Sequence, residues 1–330
     1  MNKQLASLLA LSAAATLSIA APPTPTFVKT IALNPTITAP VDLIEVAGDL
    51  YVVGFTEKKI ARVSSPLGTE VVSEFADLSG ATTWASGRGP TGIIFDNNEF
   101  YVTGDNGVDG FIGAYNTAGV EQRKADLAGQ RIVSAASLDA DSLVAGKSNT
   151  SNLITIKKSD LTNENVDSVL PSAGWRAPIR KILVDPSGII YYANTNTTTA
   201  PPGHKLGKAT PGSTSGDLSQ YTFVEWYGPN ESQASPATIG ITPFTRGTES
   251  WILFVNSGGF GGATAGIDFV NTSTGVRDLK FEDSTNFQAL RGILVTNIAG
   301  TDYMIITASL TNSLSIYSLG ASSVADWSIY

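Results

Sequence analysis

The chain has 330 residues, of which 42% are hydrophobic and 15% are charged, and it contains 32 Gly, 16 Pro and no Cys. This composition is too apolar for a disordered chain and too rich in turn-forming residues for a helical bundle. The net charge of −8 disfavours sequence-independent binding to nucleic acid. A β-rich protein fits these numbers best, and the length allows one large domain.

The first residues have the pattern of a signal peptide. Lys3 is the one charged residue before an apolar run that extends from Leu5 to Ala20. The run is short for a membrane span, and no later segment is apolar enough to form one. We therefore expect a secreted protein with no membrane span in the mature chain. Residues 1–20 are its signal peptide, 21–26 a Pro-rich leader and 27–330 a single domain.

Export outside the cytoplasm makes glycosylation relevant. Asn-x-Ser/Thr sequons accept N-linked glycans when the host is a eukaryote. The sequence contains four candidates, Asn149, Asn196, Asn230 and Asn271. Because the chain has no Cys, no disulfide supplements the core, and stability must come from burial.

A unit of about 50 residues recurs along the chain, and this period is typical of propeller blades. Each unit has an apolar first strand, a Gly, Asn or Asp turn, an apolar second strand and a third strand. Four of the first strands follow a proline, at Pro40, Pro90, Pro178 and Pro236. The six second strands are predicted at 50–54, 100–104, 142–146, 190–194, 252–256 and 304–308.

Outer strands complete the predicted blades. Third strands are predicted at 60–63, 112–115, 153–156, 267–270 and 314–317, and the fourth unit lacks a clean one. Fourth strands are predicted at 70–75, 120–126, 166–170, 222–227 and 276–281. The sixth unit has no obvious fourth strand, but residues 27–31 form a spare strand that would close the ring and remove an exposed edge.

These elements predict an all-β, six-bladed β-propeller with four antiparallel strands per blade. A tandem of β-sandwiches and a seven-bladed ring with one degenerate blade remain alternatives. Residues 185–194, Asp-Pro-Ser-Gly-Ile-Ile-Tyr-Tyr-Ala-Asn, resemble blades of the NHL, SMP-30 (gluconolactonase-like) and TolB-like six-bladed propellers. The resemblance is one of repeat pattern over roughly residues 27–320.

The resemblance to SMP-30-like lactonases implies one kind of enzyme. Such lactonases hold a divalent metal in the channel with a Glu from a Glu-Gly-Pro entrance and with Asn and Asp near the ends of second strands. This chain has Arg88-Gly89-Pro90 at that entrance, which leaves Asn194, Asn256 and Asp105 as candidate oxygen ligands. The residues by themselves predict no cofactor. The resemblance implies Ca²⁺ or another divalent metal.

The loops on one face of a propeller surround the central channel, and ligands generally bind there. Arginines gather at the channel entrances, where they would hold a carboxylate or phosphate or else pair with carboxylates between blades. Asp42 and Arg180 occupy the same position in opposite blades, so they face each other across the channel or pair within their own neighbourhoods. The predicted ligand-binding residues are Asp42, Trp84, Arg88, Trp175, Arg176, Arg180 and Arg291.

The function expected from these features is binding of a small anionic or aromatic ligand or a glycan on the loop face. The enzyme alternative is a metal-dependent lactonase or a cavity-type enzyme such as a pericyclase, with His204 and Asp105 as the candidate catalytic residues. An extracellular structural or interaction protein is the third class. The partners expected are accordingly a small molecule, a glycan or an extracellular protein.

Overall fold

The computed structural model describes residues 21–150, 152–164, 179–195, 204–213, 217–227, 238–256 and 265–322. They form six antiparallel sheets arranged as a six-bladed β-propeller, which confirms the predicted fold class. The described part of the chain contains one helical turn, at Leu218–Gln220. No helix within it is long and apolar enough to cross a membrane.

The first three blades follow one another along the chain. Blade one consists of β2 (Pro40–Val46), β3 (Asp49–Gly54), β4 (Lys59–Ser64) and β5 (Val71–Asp77). Blade two consists of β6 (Gly89–Asp96), β7 (Glu99–Asp105), β8 (Gly110–Asn116) and β9 (Glu121–Leu127). Blade three contains β10 (Ile132–Ser137), β11 (Ser142–Lys147) and β12 (Leu153–Lys157). Its predicted fourth strand, at 166–170, lies outside the described residues.

The last three blades have the same strand order. Blade four consists of β13 (Ile179–Val184), β14 (Ile190–Thr195), β15 (His204–Thr210) and β16 (Thr222–Tyr227). Blade five consists of β17 (Thr238–Arg246), β18 (Glu249–Asn256), β19 (Gly266–Asn271) and β20 (Arg277–Phe281). Blade six consists of β21 (Leu290–Ile298), β22 (Thr301–Ala308), β23 (Ser313–Ala321) and β1 (Thr26–Ala32).

The ring closes as predicted. Strand β1 from the start of the domain pairs antiparallel with β23 from its end, with Ile31 opposite Leu314. Ile31 and Leu33 are fully buried in the apolar cluster between blades six and one. Six such clusters are present among the described residues, one at each interface between neighbouring blades. Burial between blades therefore holds the ring together, without disulfides.

Tight turns explain why the first and second strands of a blade pair so readily. Ala47 and Gly48 join β2 to β3, and Asn97 and Asn98 join β6 to β7, all four with positive φ angles. Two-residue turns with both φ angles positive match the twist of the flanking strands, and Gly and Asn tolerate that conformation best. These hairpins were therefore recognisable from the sequence.

Blade four corrects one prediction, because it does have a regular third strand, β15. The strand lacks strict alternation of buried and exposed residues. Leu206 packs between blades four and five and Ala209 between blades three and four, so both faces of the strand are buried. With two lysines, one glycine and one large apolar residue, Leu206, the segment has neither the apolar run nor the period of two by which a strand is recognised in a sequence.

Gly207 is required by packing within this blade. A Cβ atom added there would lie 2.0 Å from Cζ of Tyr192, whose ring is fully buried. We expect Gly207→Ala to lower the free energy of unfolding by about 1–3 kcal/mol, the usual cost of overpacking a core. Urea denaturation measures this loss. Gly80→Ala is the matched control, since no atom lies within 4 Å of its added Cβ, and an equal loss in both variants would contradict the packing argument.

Candidate functional site

The first strands of the blades surround a central channel, and a cavity of about 530 Å³ occupies the end of the channel where these strands begin. We call it the upper cavity. It lies on the face predicted to bind a ligand. Its lining includes Val41, Asp42, Phe55, Arg88, Thr91, Asp105, Arg131, Val133, Ser148, Arg180, Lys181, Ile239 and Arg291.

A β-bulge at the start of every first strand shapes the upper cavity. In each of the six blades the pairing of the first with the second strand shifts register within its first few residues. The extra residues all line the cavity, and bulges commonly redirect side chains at functional sites. These bulged positions are Val41, Thr91, Val133, Arg180, Ile239 with Gly240, and Arg291 with Gly292.

Asp105 is buried and is the centre of an ion cluster on one wall. Its carboxylate accepts hydrogen bonds from Nε and a terminal nitrogen of Arg131, at 3.0 and 2.8 Å, and from Oγ of Ser148 at 2.8 Å. Arg88 adds a longer contact of 3.2 Å. Burial acts to raise the pKa of Asp105, but the hydrogen bonds from Arg131, Ser148 and the backbone of Gly107 lower it below its usual value.

This environment bears on two roles predicted for Asp105. A carboxylate that accepts bonds from two guanidinium groups is held as an anion, and its oxygens are already occupied. The cluster therefore does not fit a divalent cation at Asp105, nor does it leave this residue free to take a proton. The described residues also contain no group of three or more histidine and acidic side chains that could hold a metal ion.

Asp42 reaches across the channel, but to a different residue from the one predicted. Its Oδ2 lies 2.5 Å from Nζ of Lys181, which belongs to the opposite blade, and it accepts a hydrogen bond of 3.0 Å from the backbone of Ile93. The pair is nearly buried, with side-chain exposures of 4% and 12%. Lys181 was not predicted as a site residue, although it is the neighbour of Arg180.

Arg180 and Arg291 differ from the other cations of the cavity because neither forms an ion pair within the described part of the chain. The Nε of Arg180 is buried and has no hydrogen-bond partner. Burial, then the nearby charges of Arg291 and Arg88, lower the pKa of Arg180 to about 10. Burial also lowers the pKa of Arg291. Arg180 therefore stays positively charged at neutral pH, without a carboxylate partner among these residues.

A second cavity, of about 400 Å³, lies at the opposite end of the channel. We call it the lower cavity. Its walls are mostly apolar and include Ile44, Ile93, Leu183, Phe244 and Leu294. Lys181 lines both cavities, so the ion pair of Lys181 with Asp42 lies where they meet. The upper cavity is the more highly charged, with seven charged lining residues against Glu45, Lys181 and Asp302 in the lower cavity.

Of the other predicted binding residues, Trp84 is described, and it does not line the upper cavity. Trp84 packs edge-on against Phe111, with ring centroids 5.3 Å apart, and its Nε1 donates to the carbonyl of Leu78 at 2.9 Å. It therefore stabilises blade two. Trp175 and Arg176 lie outside the described residues.

The remaining metal and catalytic candidates have separate positions. Asn194 and Asn256 are buried near the ends of second strands, and Asn256 donates to Asp268 at 3.0 Å. Neither asparagine lines the upper cavity with Asp105. His204 begins β15, and its side chain is outside the described structure. Calcium binding and catalysis by His204 stay predictions.

The four glycosylation candidates also differ in accessibility. Asn149 is exposed in the loop beside Ser148. Asn271 is 4% exposed, and its side-chain nitrogen donates to Glu249 and Asp278 at 3.1 and 3.3 Å, so the folded protein does not present it to an enzyme. Asn196 and Asn230 lie outside the described residues.

Comparisons with known proteins support the fold. Virginiamycin B lyase from Staphylococcus aureus matches with a TM-score of 0.57 and 10% identity, covering 88% of this chain and 98% of that chain. PQQ-bound aldose sugar dehydrogenase from Streptomyces coelicolor matches with a TM-score of 0.56 and 13% identity, covering 91% and 99%. Both are β-propellers, and at such low identity the likeness concerns the fold alone.

A catalytically inactive variant of the lyase with quinupristin also matches, with a TM-score of 0.54 and 14% identity, covering 88% of this chain and 98% of that chain. No family model and no curated protein matches the sequence. The function must therefore be argued from the site.

Proposed function

We propose that this protein is a secreted binding module that holds a small anionic molecule in the upper cavity. The observation that supports the proposal most directly is the state of Arg180 and Arg291, two cavity-lining arginines without an ion pair among the described residues. Keeping a desolvated charge without a partner is costly, so proteins normally pair such groups. A bound carboxylate or phosphate would supply the missing partner, and guanidinium groups suit both anions.

Charge and shape favour an anion over a neutral glycan. The lining has five cationic side chains and two anionic ones, on a chain whose net charge is −8. Phe55 is the one aromatic side chain among the described lining residues, and Trp84 packs within its own blade. Stacking platforms for sugar rings are therefore scarce in this part of the cavity, whereas hydrogen-bond donors for an anion are abundant.

Arg180→Met tests the proposal. An anion at 100 times its Kd should raise the free energy of unfolding by about 2.7 kcal/mol, which a thermal shift detects. With benzoate or isophthalate as probes and benzamide as the neutral control, we expect only the anions to stabilise the wild-type protein. Loss of charged hydrogen bonds in Arg180→Met should weaken anion binding about tenfold to a hundredfold.

The same variant should be more stable than the wild type when no anion is present, because it removes a desolvated charge that lacks a counter-ion. Arg62→Met is the control, since it removes an exposed arginine paired with Asp49 outside the cavity and should leave anion binding unchanged. Unchanged anion affinity in Arg180→Met would refute the proposed site.

A further inference from the structure

We infer that the ligand of the upper cavity carries at least two negative charges on a body that is partly apolar, as in a dicarboxylate. This inference rests on the proposed function and makes it more specific. The inference depends on two features of the cavity. One is the number of positive charges that remain after the carboxylates of the cavity have been paired, and the other is the apolar surface between the remaining arginines.

The pairing within the cavity can be followed charge by charge. Asp105 is neutralised by Arg131, with which it shares its shortest ion contact, 2.8 Å. Asp42 is neutralised by Lys181 at 2.5 Å. Five cations and two carboxylates line the cavity, so three positive charges remain. They belong to Arg88, Arg180 and Arg291.

The three remaining arginines are not equivalent. Arg180 and Arg291 have no ion pair among the described residues, and they come from different blades, four and six. Arg88 keeps one contact of 3.2 Å to Asp105, and its side chain is 42% exposed, so it can turn toward a ligand while Arg131 retains the carboxylate. The nearby charges of Arg291 and Arg88 contribute to the lowered pKa of Arg180, as expected for three cations that share one cavity.

A ligand with a single negative charge would not neutralise both Arg180 and Arg291. A monoanion bound to Arg180 compensates one desolvated guanidinium and leaves the charge of Arg291 unpaired. A second negative charge removes that cost and the repulsion between the two arginines. The binding free energy should therefore rise more steeply with ligand charge than with ligand size.

The surface between the arginines indicates what lies between the anionic groups. Val41, Val133, Ile239 and Phe55 line the same cavity, so an apolar body would be covered on several sides. The cavity volume of about 530 Å³ is within the range of about 300–1,000 Å³ in which small-molecule ligands bind. Inorganic phosphate would satisfy one or two arginines and leave the apolar wall uncovered.

Matched pairs of probes test the inference by titration calorimetry on the full chain. Benzoate and isophthalate share a ring, butyrate and succinate share a four-carbon chain, and isophthalamide is the neutral control with the bulk of isophthalate. We expect each dianion to bind at least tenfold more tightly than its monoanion, and isophthalamide not to bind. In Arg291→Met the ratio of the Kd for benzoate to the Kd for isophthalate should fall toward one, while benzoate still binds.

The outcomes separate this inference from the proposed function. Equal affinities for monoanion and dianion in both pairs would overturn the inference and leave the anion site standing. No binding of any anion would overturn the proposed function itself. An unchanged preference for the dianion in Arg291→Met would also overturn the inference, because the second charge would then not be recognised by this arginine.

Discussion

Replacing Lys158 with methionine should lower the free energy of unfolding by about 3–5 kcal/mol, the cost of removing one partner from a buried ion pair. Nζ of Lys158 lies 2.5 Å from Oδ2 of Asp96, and the two side chains are only 7% and 8% exposed. It also donates to Oγ of Ser137 at 2.8 Å and to the carbonyl of Ala140 at 3.3 Å. These contacts join the end of β6 in blade two to the first hairpin of blade three.

Denaturation in urea at neutral pH measures the loss. Lys59→Met is the matched control, because Lys59 forms an exposed pair with Glu74 at 2.7 Å, and breaking such a pair costs about 1 kcal/mol or less. The double variant Lys158→Met with Asp96→Leu should recover much of the loss, since it leaves no buried carboxylate unpaired. Equal losses in Lys158→Met and Lys59→Met would show that the buried pair has no special role.

The blades could be predicted from the sequence because each blade is built from local interactions. Strands pair with their neighbours in the chain, the second strands are apolar runs that are buried almost throughout, and residues such as Asn97 and Asn98 specify tight turns. Even the closing strand could be recognised, because residues 27–31 were left over once the other strands had been assigned to blades. Strand β15 was missed because it contains one large apolar residue, Leu206, between two lysines.

The site was harder to predict, because β-bulges that the sequence does not mark decide which side chains enter it. The bulge between Ile179 and Lys181 makes Arg180 an extra residue, so that Arg180 and Lys181 both line the upper cavity. Strict alternation would place these neighbours on opposite faces of the strand. The repeat indicated correctly that Asp42 has a counterpart in the opposite blade, but only the geometry of the bulge decides that its partner is Lys181. No local sequence signal specifies such contacts across a channel.

The paired and the unpaired cations have opposite consequences for stability. Lys158 and Lys181 are paired and would destabilise the fold if their partners were removed, whereas Arg180 and Arg291 lack such partners among the described residues and lower stability as they stand. Natural proteins commonly give up stability at the places where they bind or react. The contrast between the paired and the unpaired cations is therefore an argument for function at the upper cavity.

The second large effect on stability is expected at Asp268. Its pKa is raised, whereas the pKa of most aspartates in folded proteins is lowered. It is 1% exposed in β19, and burial raises its pKa from 3.8 to about 6, despite the hydrogen bond from Asn256 and the nearby charge of Arg277. A raised pKa means that the folded state holds the proton more tightly than the unfolded state does. The contribution of Asp268 therefore lowers the stability as the pH rises from about 4 to about 6.

Asp268→Asn removes this titration, because an amide stays neutral at every pH. A pKa difference of about 2 units corresponds to about 3 kcal/mol, so we expect the variant to be more stable than the wild type by up to about 3 kcal/mol at pH 8. Near pH 4 the two proteins should have nearly equal stability. Urea denaturation across this range measures the difference, and subtracting the two curves removes the titrations that both proteins share.

Asp283→Asn is the control with the opposite sign. Burial acts to raise the pKa of Asp283, but hydrogen bonds from Asn286 and Tyr317 lower it below the ordinary value. This variant should therefore be less stable than the wild type at pH 8, and the difference in the free energy of unfolding should become smaller as the pH falls. Since both aspartates carry the same charge at pH 8, only their surroundings can give the two substitutions opposite signs. A loss of stability at pH 8 in Asp268→Asn would mean that its hydrogen bonds outweigh the cost of burying the charge.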